Sequence, residues 1–163
     1  MILYSGTGHV DTVAAAFPGE DVVTIDTIDE LRDALDGADR AVFVVDPETI
    51  DTEAVEEVRQ TTDRTVPTVL LSDDPEGVDL DFDAVAGDDP NADEIRTAVE
   101  RARRVAAYRE SVDELYDYSR QHTTGEFNTA LLDTRREADQ RFADLPPLDS
   151  VTIDVLLRER DRQ

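Results

Sequence analysis

The sequence contains no cysteine and no lysine in its 163 residues. The absence of cysteine excludes disulfide staples, thiolate zinc sites, iron–sulfur clusters and cysteine nucleophiles, and leaves metal chemistry to carboxylates and two histidines. The absence of lysine excludes a P-loop, whose ammonium must reach the phosphates. No apolar run approaches the roughly 18 to 20 residues needed to span a bilayer. The chain passes from Met1 directly into Ile2, Leu3 and Tyr4, with no basic region or small-residue cleavage site of a secretory signal. These features point to a soluble, cytoplasmic protein with no membrane partner. The length suits one domain with an appendage and rules out two full enzyme domains.

Acid is what the chain has in excess. Its 40 Asp and Glu face 16 basic residues, all of them Arg, for a net charge of -24. The acids are interleaved with periodic Val, Ile, Leu and Ala instead of forming one block, the pattern of a folded chain and not of a disordered tail. In molar salt the Debye length falls to about 3 Å, so self-repulsion that would strain a compact state in dilute buffer is screened. The composition therefore fits a halophilic, acidic protein. The charge is also unevenly placed: residues 1–100 hold 5 Arg and 27 acids, whereas residues 101–163 hold 11 Arg and 13 acids. This divides the chain into an acidic globular domain, 1–100, and a nearly charge-balanced helical segment, 101–163. Either the Arg residues of that segment have something to contact, or they reflect ordinary Arg usage on helices.

Short apolar runs recur at Ile2–Tyr4, Val22–Ile25, Ala41–Val45, Thr68–Leu71 and Ala84–Ala86. Helical spacing appears between them at His9–Phe17, Ile28–Leu35 and Thr52–Gln60, and again from Asn91 onward. Strands read as near-continuous apolar runs alternating with helices predict a parallel sheet covered on both faces. The slot at Asp74–Leu80 is short or irregular because it contains Pro75 and Gly77. After Pro90, Asn91 with Glu94 three residues later forms a capping-box pattern. The stripe that follows, from Ile95 to Tyr116, continues past Tyr118 without Gly or Pro. At 1.5 Å per residue, roughly 30 residues extend about 45 Å, too far for a domain of 100 residues to cover. A break at His122–Gly125 and a second helix over Glu126–Ala143 make a hairpin, and Pro146 and Pro147 end it. Ser150–Gln163 is read as a short helix. The predicted fold class is α/β, a five-stranded, parallel, doubly wound sheet of flavodoxin or receiver type followed by a C-terminal helical hairpin.

In open parallel sheets, function collects at the carboxyl ends of the strands. Those positions here are Ser5–Gly8, Asp26, Asp46, Ser72–Asp74 and Gly87–Asp89. Five strands with Asp46 closing the third (Val44-Val45-Asp46) and Ser72 closing the fourth (Leu71-Ser72) resemble the receiver domain of two-component response regulators. Arg101–Gln121, with Tyr108-Arg109, Val112 and Leu115-Tyr116 ahead of Ser119-Arg120, resembles the helical segment after receivers in haloarchaeal regulators, of which the HalX domain is the best known. Together the two resemblances cover nearly the whole chain. They imply Asp46 as the phosphoacceptor equivalent, Ser72 as the switch equivalent, and a signalling role in a phosphorelay through protein contacts, with a kinase or other regulator as partner and a homodimer formed by the C-terminal helices. The family's magnesium-binding acidic pair is replaced by Ser5, Gly6, Thr7 and Gly8, and Asp89-Pro90 stands in place of its Lys-Pro step. Phosphoryl transfer needs a cation to neutralise charge on the equatorial oxygens. The expected protein is thus a pseudo-receiver and not an enzyme.

Two other readings remain open. The turn Ser5-Gly6-Thr7-Gly8-His9, between a strand and a helix, can aim backbone amides at a phosphate, as in a flavodoxin-like domain that binds a nucleotide or flavin. Alternatively, Asp46 belongs to a competent receiver with a rearranged site. No cofactor and no metal are expected. His9 with Asp11 suggests capping, and His122 in the break between helices suggests a solvated side chain. Direct nucleic-acid binding is not expected, since the domain repels phosphates and the Arg residues of the tail alternate with acids, as intra- and interhelical ion pairs would require.

Overall fold

The structure, a computed structural model, describes residues 1–38, 40–62, 65–121 and 129–144. Five strands, β1 (Ile2–Ser5), β2 (Val22–Thr24), β3 (Val42–Val45), β4 (Thr68–Leu71) and β5 (Ala84–Ala86), alternate with three helices, α1 (Val10–Ala16), α2 (Ile28–Gly37) and α3 (Thr52–Thr61). Between β4 and β5 there is only a single 3-10 turn, Pro75–Gly77. The chain then enters α4 (Ala92–Gln121) and α5 (Thr129–Ala143). All strand pairs are parallel, in the order β2-β1-β3-β4-β5.

Every residue of β1, β3 and β4 is buried, as expected for strands covered on both faces. Their alternating side chains divide into two layers. Ile2, Tyr4, Val42, Val44, Val69 and Leu71 pack on Val13 and Ala16 of α1 and on Ile95, Val99 and Ala102 of α4. Leu3, Phe43, Val45 and Leu70 pack on Leu31 and Leu35 of α2 and on Val55 and Val58 of α3. Burial of each such Leu or Val stabilises the fold by about 1.5–3 kcal/mol relative to leaving it in water. β2 lies at the edge and is only partly buried, yet the ladder continues past its end, because the Ile25 amide donates to the Tyr4 carbonyl at 2.7 Å.

Local signals set the helix starts. Thr27 and Glu30 form a reciprocal capping box at α2, and Asp51 accepts two amides at α3. Asn91 and Glu94 form the second capping box expected from the sequence, with bonds of 2.8, 2.9 and 3.1 Å. In the slot between β4 and β5, Pro75 lacks an amide donor and Gly77 has no side chain to hold a helix. The following loop instead places Leu80 and Phe82, both buried, in the α2/α3 layer.

α4 spans 30 residues, about 45 Å, and crosses the position 100/101 division without interruption. Ile95, Ala98, Val99 and Ala102 cover the sheet, and Val105 reaches the opposite layer. α5 turns back along the remainder. Near its end, Arg141 donates to the Ala107 carbonyl at 2.8 Å, and the Phe142 ring lies 5.5 Å from that of Tyr108. Ala138 is buried, and the hairpin expected from the sequence is formed. The break at His122–Gly125, the start of the second helix at 126–128, and the helix expected over Ser150–Gln163 lie outside the described residues. No described helix is long and apolar enough to cross a membrane.

Candidate functional site

The strand register brings three of the expected residues to one edge. Ser5 pairs with Val45 and Val45 with Leu70, so Asp46 leaves β3 beside the end of β1, one step from Ser72 at the end of β4. The Asp46 amide donates to the Ser5 carbonyl at 2.9 Å. Its carboxylate is turned along its own chain: Oδ1 accepts the Glu48 amide at 3.0 Å, and the Asp46 carbonyl accepts the Thr49 hydroxyl at 2.8 Å. Thr49 Oγ1 also lies 3.4 Å from Ser5 Oγ. Asp46 therefore organises the turn into α3.

Ser72 is used in the same way. Its amide donates to the Ala86 carbonyl at 2.9 Å, and its hydroxyl accepts the Asp74 amide at 3.1 Å. Next to it, Asp73 and Asp88 accept each other's amides at 3.2 and 2.8 Å, which ties the β4 and β5 loops together. A Cβ at Gly87 would stand 2.8 Å from the Asp73 carboxylate and would have to displace it. The loops that follow the five strands contain Asp26, Asp46, Asp73, Asp74, Asp88 and Asp89 but no Arg. Among the described residues no group of three or more His, Asp or Glu is arranged to hold a metal ion.

The turn Ser5–Gly8 folds over a phenol. Tyr4 is fully buried, and its hydroxyl accepts the His9 amide at 3.0 Å. A Cβ at Gly6 would fall 2.2 Å from that hydroxyl, so Gly6 is there to admit the Tyr4 ring. Burial pushes the Tyr4 hydroxyl above its ordinary pKa and the Asp46 charge adds to this, while the amides of His9 and Gly8 oppose it. The amide that opens α1, one of those a bound phosphate would need, thus already has a partner. His9 occupies the N-cap position of α1, but its imidazole makes no capping bond, so the capping role expected of it is not realised.

Cations gather at the opposite, amino edge of the sheet, where sequence reasoning located no site. Asp83, the residue before β5, is 1% exposed. Its Oδ2 accepts the Thr68 amide at 2.7 Å, and its Oδ1 meets Arg109 Nη1 of α4 at 2.5 Å. Burial raises its pKa, against the opposing charges of Arg109 and Arg59. Arg59 of α3 donates to the Asp81 carbonyl and pairs with Glu56 at 3.1 Å. Glu20, ahead of β2, takes Arg103 of α4 at 2.9 and 3.1 Å. Partial burial works against the Glu20 charge, but Arg103 and the Met1 amino group outweigh it and hold the carboxyl below its ordinary value. Within the helices, Arg104–Glu100, Arg135–Asp139, Arg136–Asp133 and Arg141–Glu137 are intrahelical pairs of the kind that alternating charge in residues 101–163 suggested, and Arg96–Asp93 adds one ahead of them, whereas Arg103 and Arg109 reach out of α4 to the sheet. The signal for Asp83 was an acid directly ahead of the apolar run Ala84–Ala86.

No family model, no curated protein and no solved structure matches this chain. The functional reading therefore rests on the geometry of the two sheet edges and the hairpin.

Proposed function

We propose that this protein is a signalling or regulatory module, a pseudo-receiver that works through protein–protein contacts and through pairing of its helical hairpin with a second copy, without efficient phosphoacceptor chemistry. The observation that carries the proposal is the state of Asp46. It stands at the strand end where a phosphoacceptor would stand, beside Ser5 and Ser72, yet its carboxylate caps the Glu48 amide. The surrounding loops supply only acids, and the whole chain lacks the lysine that would neutralise a transferring phosphoryl group. What such a domain retains is a rigid sheet with a helical arm, suited to binding and not to turnover. The acidic composition fits a high-salt cytoplasm, where this charge is tolerated.

Acetyl phosphate or beryllofluoride with magnesium, in molar salt and followed by intact mass and fluorine spectra, tests the reading. The expected result is an unmodified chain. Stoichiometric phosphorylation that disappears in Asp46→Asn would overturn it in favour of a competent receiver, and a flavin or nucleotide co-purifying with the protein would favour the turn at Ser5–Gly8. Light scattering tests the pairing: a dimer at tens of micromolar supports it and a monomer contradicts it.

A further inference from the structure

A cleft of about 900 Å³ opens beneath the amino edge of the sheet, between the domain and the helical hairpin. Its volume falls within the range of about 300–1,000 Å³ typical of small-molecule sites. Val42, Val66 and Ala106 give it apolar surface. Among the described lining residues, the charged side chains are Arg40, Arg103 and Arg141 against Glu20 and Glu110. Arg103 and the Met1 amino group share Glu20, Arg141 is paired with Glu137, and Arg40 stands against Glu110, so these groups leave one positive charge in excess in a chain whose net charge is -24.

The three Arg residues come from three separate elements: the approach to β3, the middle of α4 and the end of α5. Arg141 is fixed at the rim by its bonds to the Ala107 carbonyl at 2.8 Å and to Glu137 at 2.7 Å. Arg40 is exposed and makes no ion pair among the described residues, although acids outnumber bases by 40 to 16 in this chain. Guanidinium groups present planar forks that match phosphate and carboxylate oxygens two at a time.

We infer that this cleft is a binding site for a small organic anion carrying two or more phosphate or carboxylate groups, gripped by Arg40, Arg103 and Arg141 with its apolar body against Val66 and Ala106. A ligand held in this way bridges the sheet and both helices of the hairpin, so its binding clamps the arm to the domain. The site lies at the end of the sheet opposite Asp46 and does not depend on what happens there.

The test is titration of the full chain with pyrophosphate, ATP and citrate at constant chloride concentration, by calorimetry and by amide NMR. Saturable one-to-one binding of at least one probe is expected, with a Kd of about 1 mM or tighter and with shifts at Ala41, Val66 and Ala106. Arg40→Gln and Arg141→Gln should each weaken it about tenfold or more, since a charge-assisted bond contributes roughly 1.5–3 kcal/mol. Arg40 is an exposed side chain, so its variant keeps the fold and decides the matter even if Arg141→Gln loosens the hairpin. Preference among the probes distinguishes a phosphate ligand from a carboxylate one. Failure of all three probes to saturate, unchanged affinity in Arg40→Gln, or shifts confined to the carboxyl edge would each overturn the inference. A null result here leaves the phosphorylation assay unaffected, so the two proposals fail separately.

Discussion

The two ends of the sheet put their carboxylates to different uses. At the carboxyl edge, Asp46, Asp73 and Asp88 each accept a backbone amide. At the amino edge, Asp83 and Glu20 are paired with Arg109 and Arg103 of α4. An aspartate bonded to amides shapes a loop. One bonded to a guanidinium from a distant element joins two parts of the fold. The mechanically important electrostatics of this chain therefore lie at the end away from the strand-end loops, where the helical arm leaves the sheet.

The largest effect is expected from breaking the buried pair. Arg109→Ala leaves Asp83 charged and unpaired in the interior and should cost on the order of 3–5 kcal/mol, read from guanidinium unfolding at fixed ionic strength. The double replacement Asp83→Leu with Arg109→Met should restore much of that loss. If the single and double variants are equally unstable, the pair is not the anchor described here.

Next comes the carboxyl edge. Gly6→Ala drives a methyl group into the Tyr4 hydroxyl and should cost about 1–3 kcal/mol. Tyr4→Phe in the same chain should rescue it only in part, because the ring carbon Cζ lies 2.6 Å from the new methyl group. A fully stable Gly6→Ala protein would mean that the turn is not folded over the phenol.

Asn91→Ala removes the one oxygen that accepts two amides at the start of α4 and should lower stability by about 1 kcal/mol in thermal melts. If the loss is absent, α4 is held entirely by its packing on the sheet.

The smallest effect separates the two acids of the amino edge by sign. The folded Glu20 carboxyl sits below its ordinary value, so its contribution is present above the unfolded value and is lost as pH falls through the folded one. Both partners are partly exposed, so solvent screening limits the effect to about 0.5 kcal/mol. Asp83 is raised above its ordinary value, so the folded state binds its proton more readily and Asp83 costs stability as pH rises through the unfolded value. Glu20→Gln should flatten the acid limb of the stability curve, and Asp83→Asn should change it in the opposite sense.

The sheet was legible in the sequence because parallel strands buried on both faces leave unbroken apolar runs, as at Val42–Val45 and Thr68–Leu71. Helix starts were legible where caps are local, as at Asn91 and Glu94. The single turn at Pro75–Gly77 followed from proline and glycine chemistry. Asp83–Arg109 was hidden, since the partners stand 26 residues apart and their meeting depends on where α4 crosses the sheet. The role of Gly6 was equally hidden. The sequence shows a Gly-rich turn but not that a tyrosine two residues earlier rises beneath it.

The unbroken course of α4 has a mechanical consequence. A helix clamped at Arg109 and running on to Gln121 is a lever of about 18 Å. A tilt of some 10° at the clamp would carry its tip roughly 3 Å, enough to bring side chains on a facing surface into or out of register.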